Sequence, residues 1–288
     1  MKRVPQNSEQ ELTGDSVLYT CTDEFMPIIT LTTDFGMSDA YVGIMKGVIL
    51  TLAPHVTLVD ISHEVPPQDV STAAFLIYQA EPFFPADTVH VVVVDPGVGG
   101  ARRALAVRTG TGMFVAPDNG VLTHILTHST GYEAYSLTRP EYWLPNPSAT
   151  FHGRDIFAPV AARLAGGMPI SRLGEPINDP ICLSVPAPEF RASDEIIAHV
   201  LHIDRFGNLI LDIQAEHLPA APIFELAGNR IRGLRRTYAD GVPGELIAYT
   251  GSTRQHIEVA LPGGNAARHL GARVGTPVYI RSDTTRKS

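Results

Sequence analysis

The sequence predicts an α/β protein: an N-terminal mostly parallel α/β sandwich domain followed by a small C-terminal antiparallel β-barrel domain. Three observations carry that expectation. Val91 to Val94 are four valines that follow Thr88, Val89 and His90 without polar alternation, as a strand buried on both faces of a parallel sheet requires. In the first half, short β-like runs alternate with helically spaced apolar segments at the interval of βαβ units. From Glu195 the texture changes to short alternating runs separated by Gly, Asn and Pro, the pattern of a barrel or sandwich.

Taken in order, Ile28 to Thr32 reads as a strand ending in Thr33-Asp34-Phe35-Gly36. Tyr41, Ile44, Met45, Val48, Ile49 and Leu52 then fall at helical spacing, with Asp39 in the N-cap place and Pro54 closing the helix. Val56 to Ile61 is a second strand, and Asp69 caps a helix carrying Val70, Ala73, Ala74, Ile77 and Tyr78 on one face. The valine run is the third strand. Strands are expected at Ala104 to Arg108 and Met113 to Ala116, then a turn at Pro117-Asp118-Asn119-Gly120 leading to a helix from Val121 to Leu126. Arg139 to Ala149, with three prolines and Trp143, reads as a surface loop or lid. Phe151-His152-Gly153-Arg154-Asp155 enters a helix with Ile156, Val160 and Leu164 inward. Pro180 to Arg191 is the expected linker. Beyond it, strands are expected at Ile196 to Ile203, Leu209 to Ile213, Glu245 to Thr250, His256 to Leu261 and Val278 to Arg281. The expected division is a polar N-terminal extension at 1–26, an α/β domain at 27–186 and a barrel at 192–284.

Composition narrows the function classes. A chain of 288 residues with 44% hydrophobic and 18% charged residues has the makeup of a globular protein with a real core. A net charge of −8 argues against a nucleic-acid partner and suits a cationic small ligand. Cys21 and Cys182 are the only cysteines, too few for a disulfide scaffold or a cysteine-based zinc site, and they fit a reducing cytoplasm. No apolar run reaches membrane-spanning length, and the first 26 residues lack a signal peptide's apolar core.

Four polar clusters fall at strand ends or helix starts: Asp34 with Asp39, Asp95 with Arg102, Asp118 with Asn119, and His152 with Arg154 and Asp155. Asp95 closes the valine strand, where the ligand crevice of an open α/β sheet lies, and the glycine-rich turn Pro96 to Gly100 brings Arg102 back toward it. Two readings stand for each cluster. Asp95 and Arg102 either pair as part of a strand-terminating turn or line a site. Asp34 is a helix cap or a binder of ligand hydroxyls, His152 a cap or surface residue or a catalyst, and Asp118-Asn119 a turn or a site. Converging Asp, Arg and His groups suit a site that orients water without a covalent nucleophile. Asp34, Asp39, Asp95, His152 and Asp155 are also metal-ligand types, yet no spacing fixes two of them on one element. Asp34-Phe35-Gly36 and His152-Gly153-Arg154-Asp155 echo kinase elements in reversed order, without a glycine loop or paired lysine, and no G-x-S-x-G elbow occurs.

Thr32-Thr33-Asp34-Phe35-Gly36, Tyr41-Val42-Gly43 with Lys46-Gly47, Asp95-Pro96-Gly97-Val98-Gly99 with Arg102-Arg103, Pro117-Asp118-Asn119-Gly120, Thr150 to Asp155 and Phe206-Gly207-Asn208 together resemble the S-adenosyl-L-methionine (SAM) hydroxide adenosyltransferases. These are SAM hydrolases of the DUF62 group, related to fluorinase and chlorinase. The resemblance covers about residues 28 to 283. It implies hydrolysis of SAM to adenosine and L-methionine without a cofactor or metal, in a homotrimer whose site lies between one subunit's N-domain and its neighbour's C-domain. It further implies that Asp95, Arg102 and His152 position the water or hydroxide and that Asp34 binds the ribose hydroxyls. Asp204, Asn208, Ser252 and Glu258 fall on or near positions holding the methionine and adenine ends. Fluorinase has Tyr-Ser in place of His152-Gly153, lacks the acid matching Asp95, and carries an insertion before the Pro117 turn, so this chain's pattern favours water over halide. A metal-dependent nucleoside or phosphoester hydrolase and a non-catalytic adenosine or SAM sensor are the alternatives.

Overall fold

Strand and helix alternate through the first half in the order β1 (Ile28–Thr33), α1 (Tyr41–Leu52), β2 (Thr57–Ser62), α2 (Val70–Ala80), β3 (Val89–Val93), β4 (Ala104–Thr109), β5 (Met113–Pro117), α3 (Thr123–His128), β6 (Tyr132–Leu137), α4 (Ala158–Ala165) and β7 (Gly174–Ile177). The second half continues with β8 (Glu189–Phe190), β9 (Ile196–Ile203), β10 (Leu209–Gln214), β11 (Pro222–Leu226), β12 (Asn229–Arg232), β13 (Ile247–Thr250), β14 (His256–Ala260), α5 (Ala266–Leu270) and β15 (Pro277–Ser282). This computed structural model describes residues 26–191 and 195–283. Cys21, nearly all of the expected N-terminal extension and the outer bounds of the expected barrel, 192 and 284, lie outside the described residues.

The first sheet has the order β2-β1-β3-β5-β4-β6-β7, parallel from β2 to β5 and antiparallel at each later step. The valine strand behaves as its sequence requires. Val89, Val91 and Val93 pack against α1 and α4, whereas Val92 and Val94 pack against α2 and α3, so both faces of the sheet are covered by helices. Parallel pairing of β1 with β3 places Thr33 opposite Val93, which sets Asp34 and Asp95 side by side beyond the strand ends.

Several expectations change in detail. Asp39 does not cap α1, whose N-cap is Ala40 with no side-chain hydrogen bond. The helix buries Val42, Met45 and Ile49 and leaves Tyr41, Ile44 and Leu52 exposed, because only a narrow stripe meets the sheet. Asp69 does cap α2, accepting from Thr72 N at 2.9 Å. α3 starts two residues later than expected, at Thr123. The expected lid is tied down: Trp143 packs on the core, Leu144 N donates to Asp155 O at 2.8 Å, and Ser148 N donates to the Asp155 carboxylate at 2.8 Å. The expected linker is anchored at both ends, since Ile181 N donates to Asp118 and Glu189–Phe190 forms β8 against β9.

The second sheet, β12-β11-β15-β9-β10-β14-β13 with β8 on β9, is antiparallel and curls around its own apolar core. A bridge between Arg235, just past β12, and Tyr249 on β13 brings the two edges together and nearly closes a barrel. A seam joins it to the first half. Arg254 donates to Tyr78 O at 2.9 Å and to the buried Glu81 carboxylate at 2.5 Å, and its guanidinium lies 4.1 Å from the Tyr78 ring centre. Phe75 stacks on His202, and Tyr78 meets His256 edge-on. Among the described residues, no helix is long and apolar enough to cross a membrane.

Two buried histidines make the fold sensitive to acid. His90 sits on β3 between the rings of Phe84 and Phe114, 2.8 Å from Thr30 Oγ1, and burial pushes its pKa down to about 4. Burial, with His128 and His256 nearby, does the same to His124, also to about 4. The unfolded chain takes up these protons near its ordinary value of about 6.5, before the folded chain does. The contribution of these two histidines to stability is therefore complete above about pH 6.5 and is lost as the pH drops toward 4. Calorimetric melting temperatures are expected to stay level above neutrality and decline across that interval.

Candidate active site

A cleft of about 420 Å³ opens beyond the ends of β1 and β3, lined by Asp34, Gln68, Asp95, His152 and an aromatic wall. Its position is the one that an open α/β sheet dictates. Phe35, Tyr41 and Phe151 form the wall, with ring centres 5.3 to 5.9 Å apart. The exposure of Tyr41 thus has a purpose that helical periodicity concealed, for its ring faces the cleft rather than the core.

Asp95, Arg102 and His152 form one hydrogen-bonded chain. Arg102 Nε lies 3.0 Å from both Asp95 carboxylate oxygens, and its Nη2 bonds both Asp95 and, at 2.7 Å, His152 Nδ1. The Asp95 and Arg102 side chains are only 5% and 10% exposed, so the pair is largely withdrawn from water. The guanidinium also lies over the Phe157 ring at 5.5 Å. Since a guanidinium only donates, His152 Nδ1 accepts, and the neutral ring carries its proton on Nε2. Burial first, and then the Arg102 charge, hold the His152 pKa below its ordinary value, against the opposing pull of Asp95 and Asp155.

Local structure explains how these groups meet. Gly99 has φ +74°, and a Cβ there would lie 2.2 Å from Ala149 O, so the turn after Asp95 reaches the loop before His152 only as glycine. Asn119 Nδ2 donates to Val94 O at 2.9 Å, fixing the strand end just before Asp95. His152 leads into a single π-helical turn, Gly153–Phe157, of the kind frequent at functional sites. Asp155 turns inward, where it takes bonds from Arg154 Nε at 2.6 Å and Ser148 N at 2.8 Å; it holds the loop and is not among the residues lining the cleft. Asp118 is likewise internal, paired with Arg103 and Ile181 N.

Asp34 is met by a donor that residue types do not reveal. Gln68 N donates to Asp34 Oδ2 at 2.8 Å from a backbone with φ +67°, a strained conformation for a residue with a side chain. Asp34 itself lines the cleft.

Asp204, Asn208, Ser252 and Glu258 do not join this group, and none of them lines the cleft. Three of them make a second polar cluster on the barrel. Asp204 accepts from Asn208 N and Nδ2 at 2.8 and 2.9 Å, which leaves Phe206 at the tip of the turn 76% exposed. Gly207 has φ +87°, and a Cβ there would lie 2.1 Å from Asn265, so this tight turn also requires glycine. Glu258 accepts from Tyr249 Oη at 2.5 Å; burial, aided by Asp204, raises its pKa against that bond. Ser252 is exposed on the loop before β14. Among the described residues, no group of three or more His, Cys, Asp or Glu side chains is arranged to hold a metal ion.

Residues 29–174 match the SAM hydroxide adenosyltransferase N-terminal domain and residues 198–279 match its C-terminal domain. The chain belongs to the SAM hydroxide adenosyltransferase family. It is 42% identical over 257 residues to a protein of Salinispora tropica named (R)-S-adenosyl-L-methionine hydrolase, an overlap of 88% of this chain and 97% of that one. A Thermus thermophilus protein of the same name is 38% identical over 255 residues, covering 86% and 96%. The crystal structure of an uncharacterized conserved protein from Thermotoga maritima superposes with a TM-score of 0.82 at 34% identity, covering 88% of this chain and 99% of that one.

The hydrogen-bonded chain makes a spectroscopic prediction. In a two-dimensional NMR titration, His152 should titrate below about 6.5. Arg102→Met removes the neighbouring cation and should move that midpoint upward; a midpoint that stays put would show that Arg102 does not control the ring.

Proposed function

We propose that this protein hydrolyses SAM by attack of water or hydroxide at the ribose C5′, giving adenosine and L-methionine. The observation that carries the reading is the buried Asp95–Arg102–His152 chain bordering a cleft with aromatic walls. The family membership and the names of the relatives support it.

The chemistry asks for an aligned nucleophile more than for an acid, because the leaving group departs as a neutral thioether. The water oxygen forms a bond to C5′ as the C5′–S bond breaks, and its electron pair stays on sulfur. One proton must leave the nucleophile. Asp95 accepts it or the hydrogen bond that precedes its loss, and Arg102 holds that carboxylate correctly turned. His152, neutral and with its proton on Nε2, orients the nucleophile's oxygen from another side. Asp34, with one oxygen held by the Gln68 amide, is assigned to the ribose hydroxyls, and the aromatic wall excludes water around C5′. No metal or other cofactor enters this scheme.

We further propose a homotrimer in which the methionine and adenine ends are held by Asp204, Asn208, Ser252 and Glu258 of the partner subunit. Two observations support this: these residues do not line their own chain's cleft, and Phe206 beside them is exposed.

Chelator-treated protein incubated with SAM in chloride-free buffer should release adenosine and methionine in equal amounts, read by chromatography. Bound SAM without products would favour a sensor, and activity appearing only on metal addition would favour a metal-dependent hydrolase. Asp95→Ala should keep adenosine binding and lose turnover by about 100-fold or more, the scale of general-base catalysis; undiminished hydrolysis would remove Asp95 from the mechanism. Co-expressed Asp95→Ala and Asp204→Ala chains should regain activity that neither has alone, since mixed assemblies then contain some intact sites. Absence of recovery would place all the functional groups of a site on one chain.

A further inference from the structure

His63 lies between the half-exposed Asp60 and the turn that carries Asp34. It is 5% exposed, at the start of the segment joining β2 to α2. Its Nδ1 is 2.9 Å from Thr33 Oγ1, and its Nε2 is 3.0 Å from Asp60 Oδ1, within ion-pair range though short of hydrogen-bond alignment. Lys46 Nζ closes the group at 2.6 Å from Asp60 Oδ2. Burial works against the Asp60 charge, but Lys46 and His63 hold its carboxyl below the usual carboxylate range.

The protons follow from these contacts. A carboxylate beside Nε2 favours the tautomer with its proton there, which leaves Nδ1 as an acceptor in the neutral ring. Thr33 Oγ1 accepts from Phe35 N at 3.3 Å, so its own hydrogen is available to donate to His63 Nδ1. His63 also binds the same turn through its main chain, since its carbonyl accepts from Gly36 N at 2.8 Å. Asp34 lies between these two braces. Its position is then completed by Gln68 N, at the far end of the segment that His63 begins.

We propose that His63 is a positioning residue for substrate binding: through Thr33 it fixes the Thr33 to Gly36 turn so that Asp34 presents its free oxygen to the ribose. The proposal rests on the assignment of Asp34 to the ribose hydroxyls. His63 touches no substrate, and its effect is confined to groups that Asp34 recognises.

Calorimetric binding of adenosine and of 2′,3′-dideoxyadenosine separates the two ideas. The wild type should prefer adenosine. His63→Ala should weaken adenosine binding by about tenfold, the scale of one hydrogen bond to a charged group, and leave the dideoxy compound unaffected. His63→Asn can place an oxygen near the Nδ1 position and should recover much of the loss. Thr33→Val removes only the hydroxyl from a nearly unchanged shape and should repeat the selective loss, which guards against a folding defect in the alanine variant. In turnover, KM for SAM should rise with kcat little changed. A wild type that binds both compounds alike overturns the Asp34 assignment and this proposal with it. A wild type that discriminates, with variants that lose both ligands equally or neither, overturns the role of His63 alone.

Discussion

A guanidinium taken out of water must be surrounded by partners, and the site is arranged around that requirement at Arg102. Asp95 supplies the charge, His152 a lone pair and Phe157 a π face. Asp95 ends β3 and His152 and Phe157 both belong to the segment before α4, so Arg102 ties the end of β3, the glycine-rich turn and that segment into one unit. The same cation adds to burial in holding the His152 pKa below its ordinary value, and it fixes the orientation of the Asp95 carboxylate. Removing a partner from such a buried group leaves an uncompensated charge, which makes the arrangement nearly all-or-none.

The parallel sheet provides the other half of the geometry. Asp34 and Asp95 stand side by side because β1 and β3 run in the same direction with Thr33 opposite Val93. Around them, two main-chain donors and one side-chain amide do the fine positioning. Gln68 N holds Asp34, Ser148 N holds Asp155, and the Asn119 amide holds the Val94 carbonyl. The barrel meets this unit along a histidine-rich seam clamped by Arg254 and Glu81.

What could be read from the chain depended on whether the signal was local. The buried strands were legible because continuous apolar runs are unambiguous when both faces are covered. β6 was missed because YEAYSL mixes charge with aromatic residues, and β7 and β11 because each contains a proline. Asp95 with Arg102 could be seen as a pair because seven residues and a glycine turn separate them. The bond from Arg102 to His152 spans 50 residues, and residue types alone could only nominate the histidine. The roles of Gln68 and His63 depend on a left-handed backbone and a cross-strand contact, neither of which has a compositional trace. The failed cap at Asp39 shows the reverse case, in which a locally favourable residue type is not used.

The left-handed residue beside Asp34 has a bearing on how such a site can drift over generations. The group that Asp34 needs from position 68 is a main-chain N–H, which every amino acid except proline supplies. The bond itself makes no demand on the side chain there, and glycine would relieve the conformational strain. A contact that holds a carboxylate of the cleft in place can therefore leave almost no imprint on which residue type occupies its position, and a survey based on side-chain identity would pass over it.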